Sequence, residues 1–146
     1  MKNKITKNSI EQKTFEHYNS GFNCAEAILK AFMDIFDKES DSGVARFASG
    51  FGGGIGGSNC EMCGALTGGI IVIGWLFGRK NPDDDKKKVY LLSDKLRTIF
   101  LKKFGSTNCK AILDLLGEQE NKIKCKKLTS DIAGLLYEII QEELDK

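Results

Sequence analysis

Rare residues and missing motifs exclude several classes of protein for this sequence. It has one histidine and one proline among 146 residues. The single proline excludes a proline-rich linker or polyproline protein. With one histidine, no G-x-S-x-G turn and no carboxylate pair in a distinctive setting, the sequence offers no case for a hydrolase.

Charge of one sign is not in excess either. Twenty-two Lys and Arg residues stand against 20 Asp and Glu residues, which gives a formal net charge of +2. A general polyanion binder needs a clear basic excess, so we expect no nucleic-acid partner.

Long hydrophobic runs are also missing. The uncharged apolar stretch after the glycine-rich loop, 63–78, has 16 residues, whereas a membrane-spanning helix needs about 20. The segment 1–6 lacks the apolar core and cleavage site of a secretory signal. We therefore expect a cytoplasmic protein without a transmembrane segment, built as one domain over residues 1–146. In a reducing compartment, cysteines are more often reactive or metal-binding than paired in structural disulfides.

Helical spacing of apolar residues dominates the chain. Asn23 is a good N-cap, Glu26 completes a capping box, and an apolar stripe follows from Cys24. A second stripe predicts a helix over 89–103, with Pro82 near its first turn and the acids at 83–85 facing the positive end of its dipole. A third stripe, over 132–140, predicts a C-terminal helix. Shorter helices are predicted around Ser9–Tyr18, Asp41–Ala48 and Asn108–Leu116.

The segment 64–78 allows two interpretations. The β-branched run 70–73 could form a buried strand, but no second strand of similar quality is available to pair with it. The spacing also fits a helix from about Cys60 to Gly78, buried on nearly all sides. Small residues at Gly64, Gly68, Gly74 and Gly78 would let neighbouring helices approach closely. We predict an all-α bundle around this glycine-rich central helix.

Five cysteines are the most informative feature, because an odd number cannot all pair within one chain. Three of them directly follow asparagine. If each asparagine caps a helix, each cysteine lies at a helix start, where free N–H groups and the helix dipole favour a thiolate. The alternative is that asparagine is a common cap and cysteine a small core residue. The three pairs are Asn23-Cys24, Asn59-Cys60 and Asn108-Cys109.

Cys60 and Cys63 form a C-x-x-C pair, which we predict to lie on the first turn of the central helix. This spacing suits a dithiol couple in which Cys60 attacks and Cys63 resolves, or half of a tetrahedral metal site. No βαβ pattern supports a thioredoxin-like protein. Near Cys125, lysines at 122, 124, 126 and 127 would stabilise a thiolate, although such a run is often only a solvated face. His17 is interpreted as a surface or capping residue.

A loop with six glycines in eight residues, 50–57, precedes the C-x-x-C pair. It formally contains G-x-G-x-x-G, but no strand precedes it, so we do not interpret it as a dinucleotide site. Either the loop adopts backbone angles that other residues avoid, or another group approaches its backbone closely. It could cradle an anion, give a partner access to Cys60, or form a tight buried turn.

The segment Cys63-Gly64-Ala65-Leu66-Thr67-Gly68 resembles the C-G-A-x-x-G motif of the C_GCAxxG_C_C family of redox-active proteins. The glycine-rich loop, the segment 23–25, the segment 104–106 before Cys109, and the late Cys125 resemble the family as well. The resemblance covers about 21–125. It implies that the family cysteines are Cys24, Cys63, Cys109 and Cys125, that Cys60 is additional, and that the protein is redox-active. It does not imply a particular reaction or substrate.

We therefore expect a thiol-based redox protein, acting as a thiol–disulfide oxidoreductase or an electron carrier without a bound cofactor. Cys24 and Cys63 are the first choice for a central pair, with Cys109 and Cys125 as a second pair or as resolving thiols. The expected partner is another redox protein or a small redox molecule, and the oligomeric state, a homo-oligomer included, stays open.

Two other functions compete with this hypothesis. In the first, the same four cysteines bind zinc or an iron–sulfur cluster, although their spacings of 39, 46 and 16 residues are unlike a compact zinc knuckle. In the second, the protein is a non-catalytic module that docks a membrane transporter or another partner through its apolar central segment.

Overall fold

The computed structural model describes residues 4–37 and 42–146. Within these residues the chain forms only helices, so the predicted all-α fold is confirmed. The described residues contain six α-helices and one 3₁₀ helix. In chain order the helices are α1 Lys7–Asn19, α2 Cys24–Phe36, the 3₁₀ helix Ser42–Phe51, α3 Gly64–Phe77, α4 Lys87–Phe104, α5 Cys109–Leu116 and α6 Ile123–Leu144.

Helix α3 lies at the centre of the fold and packs against α2, α4 and α6. Leu66, Val72 and Ile73 are completely buried in the core, as expected for a helix that is apolar on nearly all faces. The predicted central helix is therefore present, but it begins later than expected, at Gly64. Other large apolar side chains of α3, among them Ile70, Ile71 and Trp75, are partly buried and pack against this core. The hypothesis that the segment docks a partner stays a prediction.

Local hydrogen bonds determine where the flanking helices begin. The capping box of α2 forms as predicted: Asn23 Oδ1 accepts from Glu26 N–H at 2.9 Å, and Glu26 Oε1 accepts from Asn23 N–H at 3.0 Å. Helix α4 begins only at Lys87. Pro82 and the acids at 83–85 form a turn before it, because Asp84 and Asp85 accept hydrogen bonds from nearby backbone N–H groups. Pro82 and the acids therefore precede the helix, at its N-terminal end.

The predicted helix around 41–48 is observed as the 3₁₀ helix Ser42–Phe51. Asp41, at its predicted start, lies outside the described residues. The prediction that the whole chain forms one domain stays a prediction.

Two glycines of α3 allow α2 to approach it closely. A Cβ atom on Gly68 would lie 2.7 Å from the carbonyl oxygen of Ala25, and one on Gly64 would overlap Cys24 Sγ. Gly74, by contrast, has nothing within 4 Å of such an atom. Near Gly78 the atoms within 4 Å all belong to Gly74 of the same helix. The predicted close approach of neighbouring helices is therefore confirmed at Gly64 and Gly68 and is wrong at Gly74 and Gly78.

None of the helices in the described part of the chain is both long enough and apolar enough to cross a membrane.

Gly68→Ala and Gly74→Ala form a matched pair of substitutions in α3. At Gly68 the new methyl group meets backbone atoms of Ala25, so we expect the free energy of unfolding to fall by about 1–3 kcal/mol. At Gly74 alanine should raise it by about 0.5–1 kcal/mol, because alanine loses less conformational entropy on folding. Urea unfolding measures both changes, and equal effects at the two positions would contradict the close contact at Gly68.

Candidate functional site in a cysteine-lined cavity

Four of the five cysteines line one cavity of about 180 Å³. All five are free thiols. Cys60 is exposed and does not line the cavity. The cavity therefore separates the four cysteines assigned by the family resemblance from the additional one. Its cysteines are Cys24, Cys63, Cys109 and Cys125, and its other walls include Tyr18, Gly53, Asn59, Gln119, Lys122 and Thr129.

Each cavity cysteine comes from the start of a different helix. Cys24 and Cys109 are the first residues of α2 and α5, Cys63 is the N-cap residue of α3, and Cys125 lies in the first turn of α6. The predicted asparagine caps are confirmed at Asn23 and Asn108, whose side chains accept hydrogen bonds from the third residue of α2 and α5. Four helix N-termini thus converge on the cavity.

The third asparagine–cysteine pair does not form a cap. Asn59 has a φ of 59° and lies in a loop, and Cys60 follows it in a bend. The Cys60 thiol donates to the carbonyl oxygen of Ser58 at 3.3 Å. The prediction that Cys60 and Cys63 share the first helical turn was wrong, because asparagine tolerates left-handed angles and continues the loop instead of starting a helix.

A short antiparallel pairing joins the start of α3 to the start of α5. Met62 and Asn108 form an isolated β-bridge. Cys63 N–H donates to the carbonyl oxygen of Thr107 at 2.8 Å, and Cys109 N–H donates to that of Glu61 at 2.6 Å. The Asn108 side chain also donates to the carbonyl oxygen of Cys60. These bonds hold Cys63 and Cys109 at the same cavity, although they are 46 positions apart in the chain.

The glycine-rich loop forms a left-handed turn beside the cavity. The five consecutive residues 53–57 all have φ between 58° and 69°, a conformation that costs other residues about 1–2 kcal/mol each. Gly57 N–H donates to Gly52 O at 3.0 Å, and Asn59 N–H donates to Gly53 O at 2.7 Å. The first explanation for the glycines, unusual backbone angles, therefore applies.

The second explanation, close approach of another group, applies as well. A Cβ atom on Gly54 would lie 2.5 Å from Cys109 Cβ and 3.1 Å from Cys109 Sγ, and one on Gly52 would overlap the Asn23 side chain. Gly53 itself lines the cavity. The loop is thus packed against the starts of α2 and α5.

Burial dominates the ionisation of three cavity thiols. It raises the pKa of Cys63 to about 12 and raises the pKa values of Cys24 and Cys109 above their ordinary value. Backbone N–H groups act in the opposite direction, that of Gly53 on Cys24 and those of Ala65 and Leu66 on Cys63. The expectation that helix starts make Cys24 and Cys109 thiolates was wrong, because loss of solvent outweighs the helix dipole.

Cys125 has a different environment, which Gln119 provides. The Gln119 Nε2 group donates to Cys125 Sγ at 3.1 Å. Its Oε1 accepts from the backbone N–H groups of Lys124 at 2.9 Å and Cys125 at 3.0 Å, which caps α6 from outside the helix. Cys125 is half-buried, whereas the other three cavity cysteines are buried. It is therefore the cavity thiol most open to an incoming molecule.

The predicted ring of lysines around Cys125 is only partly present. Lys122 lines the cavity, and its positive charge opposes the rise in the pKa of Cys109 that burial causes. Lys124 donates to the carbonyl oxygen of Leu116, Lys126 to Asn19 and Lys127 to Asp131. One lysine of the four therefore faces the thiols.

Tyr18, Gln119 and Thr129 were not predicted as part of the site. Tyr18 packs with Cys24 and Cys125, and burial raises its pKa. Thr129 is 1% exposed and lines the cavity from α6. None of the three had a signal in the sequence, and Gln119 falls between the predicted helices Asn108–Leu116 and 132–140. The other two are brought to the cavity by packing between distant helices.

His17 lies outside the site. Its Nε2 atom is 2.7 Å from Asp34 Oδ2, and it does not line the cavity. No group of three or more His, Cys, Asp or Glu side chains within 4–37 and 42–146 has an arrangement that could hold a metal ion. The four cysteines share a cavity without forming a ligand cluster in this arrangement.

A comparison with protein families finds a match. The family described as "Putative redox-active protein (C_GCAxxG_C_C)" matches residues 22–139, which is most of the chain. The protein belongs to the C_GCAxxG_C_C family. Comparisons with curated proteins and with solved structures find no match. The family description supports a redox role and names neither a reaction nor a partner.

Gly54→Ala and Gly56→Ala test the contact between the loop and Cys109. Both positions have a positive φ, of 66° and 64°, but only a methyl group at Gly54 would meet Cys109. We expect both variants to lose about 1–2 kcal/mol of unfolding free energy from the backbone conformation. Gly54→Ala should lose about 1–3 kcal/mol more from overpacking and should change the alkylation rate of Cys109. Equal stability and equal Cys109 reactivity in the two variants would argue against the contact.

The raised pKa of Cys63 makes the stability of the reduced protein dependent on pH. The unfolded chain releases this proton near pH 8.5, whereas the folded protein keeps it until about pH 12. Because the folded state then binds more protons, the free energy of unfolding should fall as pH rises above 8.5. Between pH 8.5 and 10.5 we expect the free energy of unfolding of Cys63→Ser to fall by about 2 kcal/mol less than that of the unsubstituted protein.

The control for this measurement is Cys60→Ser, which removes the exposed thiol. It should leave the pH dependence of the unfolding free energy unchanged. Parallel curves for Cys63→Ser and the unsubstituted protein would show that Cys63 is not a buried, protonated thiol.

Proposed function

We propose that this protein is a thiol–disulfide redox protein whose four cavity cysteines cycle between free thiols and two disulfides. The observation that carries the proposal is the convergence of these cysteines on one cavity from four separate helix starts, with Cys60 outside it. Side chains brought together from distant parts of a chain can react with one another without unfolding it. Membership in a redox-active family supports the same conclusion.

Each couple transfers two electrons. Two thiols become one disulfide and release two protons, while the partner's disulfide becomes two thiols. A cysteine thiolate attacks one sulfur of that disulfide, the other sulfur leaves and takes up a proton, and a second cysteine then resolves the mixed disulfide. No cofactor is required for this exchange.

We assign Cys24 and Cys63 to an inner couple and Cys109 and Cys125 to an outer one. Cys24 Sγ contacts Gly64, the residue next to Cys63, and both cysteines are buried. Cys125 is half-buried, and Lys122 acts on Cys109, so this couple faces the side from which a partner can approach. The outer couple exchanges electrons with the partner, and the inner couple holds a second electron pair.

The burial of the inner thiols gives them a low reactivity at neutral pH. With raised pKa values, Cys24 and Cys63 stay protonated, and a thiol attacks disulfides far more slowly than a thiolate. Cys125 is better placed to react first, because it is half-buried and its sulfur accepts a hydrogen bond from Gln119. A cytoplasmic location, where the reduced state is maintained, completes the proposal.

Mild oxidation of the reduced protein, followed by peptide mass mapping, tests this function. We expect disulfides only among Cys24, Cys63, Cys109 and Cys125, all reversed by dithiothreitol, with Cys60 still open to alkylation. If all five thiols stay free in the folded, oxidised protein, or if the disulfides formed are intermolecular bonds through Cys60, the proposal fails.

Two serine variants serve as controls for the pairing. Cys60→Ser should leave the disulfide map unchanged. Cys63→Ser should leave Cys24 free after oxidation and the pair Cys109–Cys125 intact. A map in which Cys63→Ser frees Cys125 instead would show that the couples are assigned wrongly.

A further inference from the structure

An open cleft adjoins the cysteine cavity. It has a volume of about 770 Å³ and shares three wall residues with the cavity, Tyr18, Gly53 and Lys122. Its size falls in the range of small-molecule sites, about 300–1,000 Å³, whereas the cavity, at about 180 Å³, is smaller than that range. A molecule in the cleft would therefore stay outside the cavity and present only its nearest atoms to the thiols.

The charged groups of the cleft favour an anion. Lys122 and Lys126 are its cations, and Glu26 is its acid. Both carboxylate oxygens of Glu26 are already engaged, one by the Asn23 N–H at 3.0 Å and the other by the Ser49 hydroxyl at 2.8 Å. The lysines are less constrained: Lys126 Nζ lies 3.2 Å from an Asn19 side-chain oxygen and retains further donors. The hydrogen-bonding groups that remain available to a charged ligand are therefore those of the lysines.

The backbone at the border between cleft and cavity is strained. Asn121 and Lys122 are consecutive residues with φ of 50° and 55°, a left-handed conformation that is unfavourable for lysine. Such conformations persist where surrounding structure holds them, and they cluster at binding and catalytic sites. In this conformation Lys122 lines both the cysteine cavity and the cleft.

We propose that this cleft binds a low-molecular-weight disulfide that carries carboxylate groups. Lys122 and Lys126 hold the carboxylates, and one sulfur of the ligand faces Cys125. The inference rests on the proposed function, because it names the substrate class of the same thiols. A small molecule can reach the thiols more easily than a folded partner can, since even Cys125, the most accessible cavity thiol, is half-buried.

The reaction with such a ligand is balanced as written. The Cys125 thiolate attacks the nearer sulfur, the ligand's S–S bond breaks, and the distal half leaves and takes up a proton. Cys109 then attacks the Cys125 sulfur of the mixed disulfide and releases the second half as a thiol. One protein dithiol and one ligand disulfide become one protein disulfide and two small thiols.

Three small disulfides that differ in charge provide the test: 3,3′-dithiodipropionate, a dianion; bis(2-hydroxyethyl) disulfide, which is neutral; and cystamine, a dication. The rate of oxidation of the reduced full-length protein is measured with each and divided by the rate of the same disulfide with a small free thiol. We expect the normalised rate to be about tenfold higher for the dianion than for the neutral compound, and lowest for the dication. This advantage should shrink with added salt.

Lysine variants localise the effect. Lys126→Gln should lower the rate with the dianion about threefold or more and that with the neutral compound much less. Lys122→Gln also removes the charge that acts on Cys109, so it should lower the rates with all three disulfides, and that with the dianion most. Lys110→Gln, at an exposed position of α5 outside the cleft, is the matched control and should change none of these rates. Urea unfolding of each variant confirms that it is folded, and Lys126→Gln keeps the test valid if Lys122→Gln does not fold.

The outcomes separate this inference from the proposed function. Equal normalised rates for the three disulfides, or loss of all rates alike in the lysine variants, would overturn the cleft as a carboxylate site while the thiol chemistry stands. If none of the three reacts although a stronger oxidant forms the cavity disulfides, the substrate class is wrong. If no oxidant forms those disulfides, the proposed function itself fails.

Discussion

The contact between the first turns of α2 and α3 is the constraint on which the site depends. Gly64 and Gly68 have no side chain, so Ala25 and Cys24 pack directly against the backbone of α3. This contact places the Cys24 sulfur beside the residue that follows Cys63. The C-G-A-x-x-G motif is thus a packing motif as much as a chemical one, since its glycines decide how near the two cysteines lie.

Two opposing effects act on thiols at the buried helix starts. A helix N-terminus favours an anion by about 0.3–2 kcal/mol. Burial is the larger effect, since a rise in the Cys63 pKa from its ordinary value of about 8.5 to about 12 disfavours its thiolate by about 5 kcal/mol. The buried cysteines therefore stay protonated at neutral pH despite their position. Cys125 is half-buried and its sulfur accepts a hydrogen bond from the Gln119 amide, so it is the cavity thiol that an outside molecule reaches most easily.

Features set by nearby residues could be predicted from the sequence. The cap of α2 depends on Asn23 and Glu26 alone, and the central helix follows from its own apolar pattern. Features set by distant contacts could not: Asn59 follows the left-handed loop instead of capping a helix. The same asparagine–cysteine pattern therefore predicted the helix starts at Cys24 and Cys109 correctly and was wrong in predicting one at Cys60. The family resemblance identified the cavity cysteines, whereas the local C-x-x-C pattern suggested a pair that the fold separates.

Counting free thiols by intact mass across a series of redox buffers tests the central claim most directly. The reduced protein is equilibrated at increasing oxidation, and its remaining thiols are alkylated and counted. If four cysteines form two couples in one cavity, thiols disappear two at a time until a single one, Cys60, remains. A protein that keeps all its thiols at every potential, or one that loses Cys60 before the cavity cysteines, would contradict a redox function centred on this cavity.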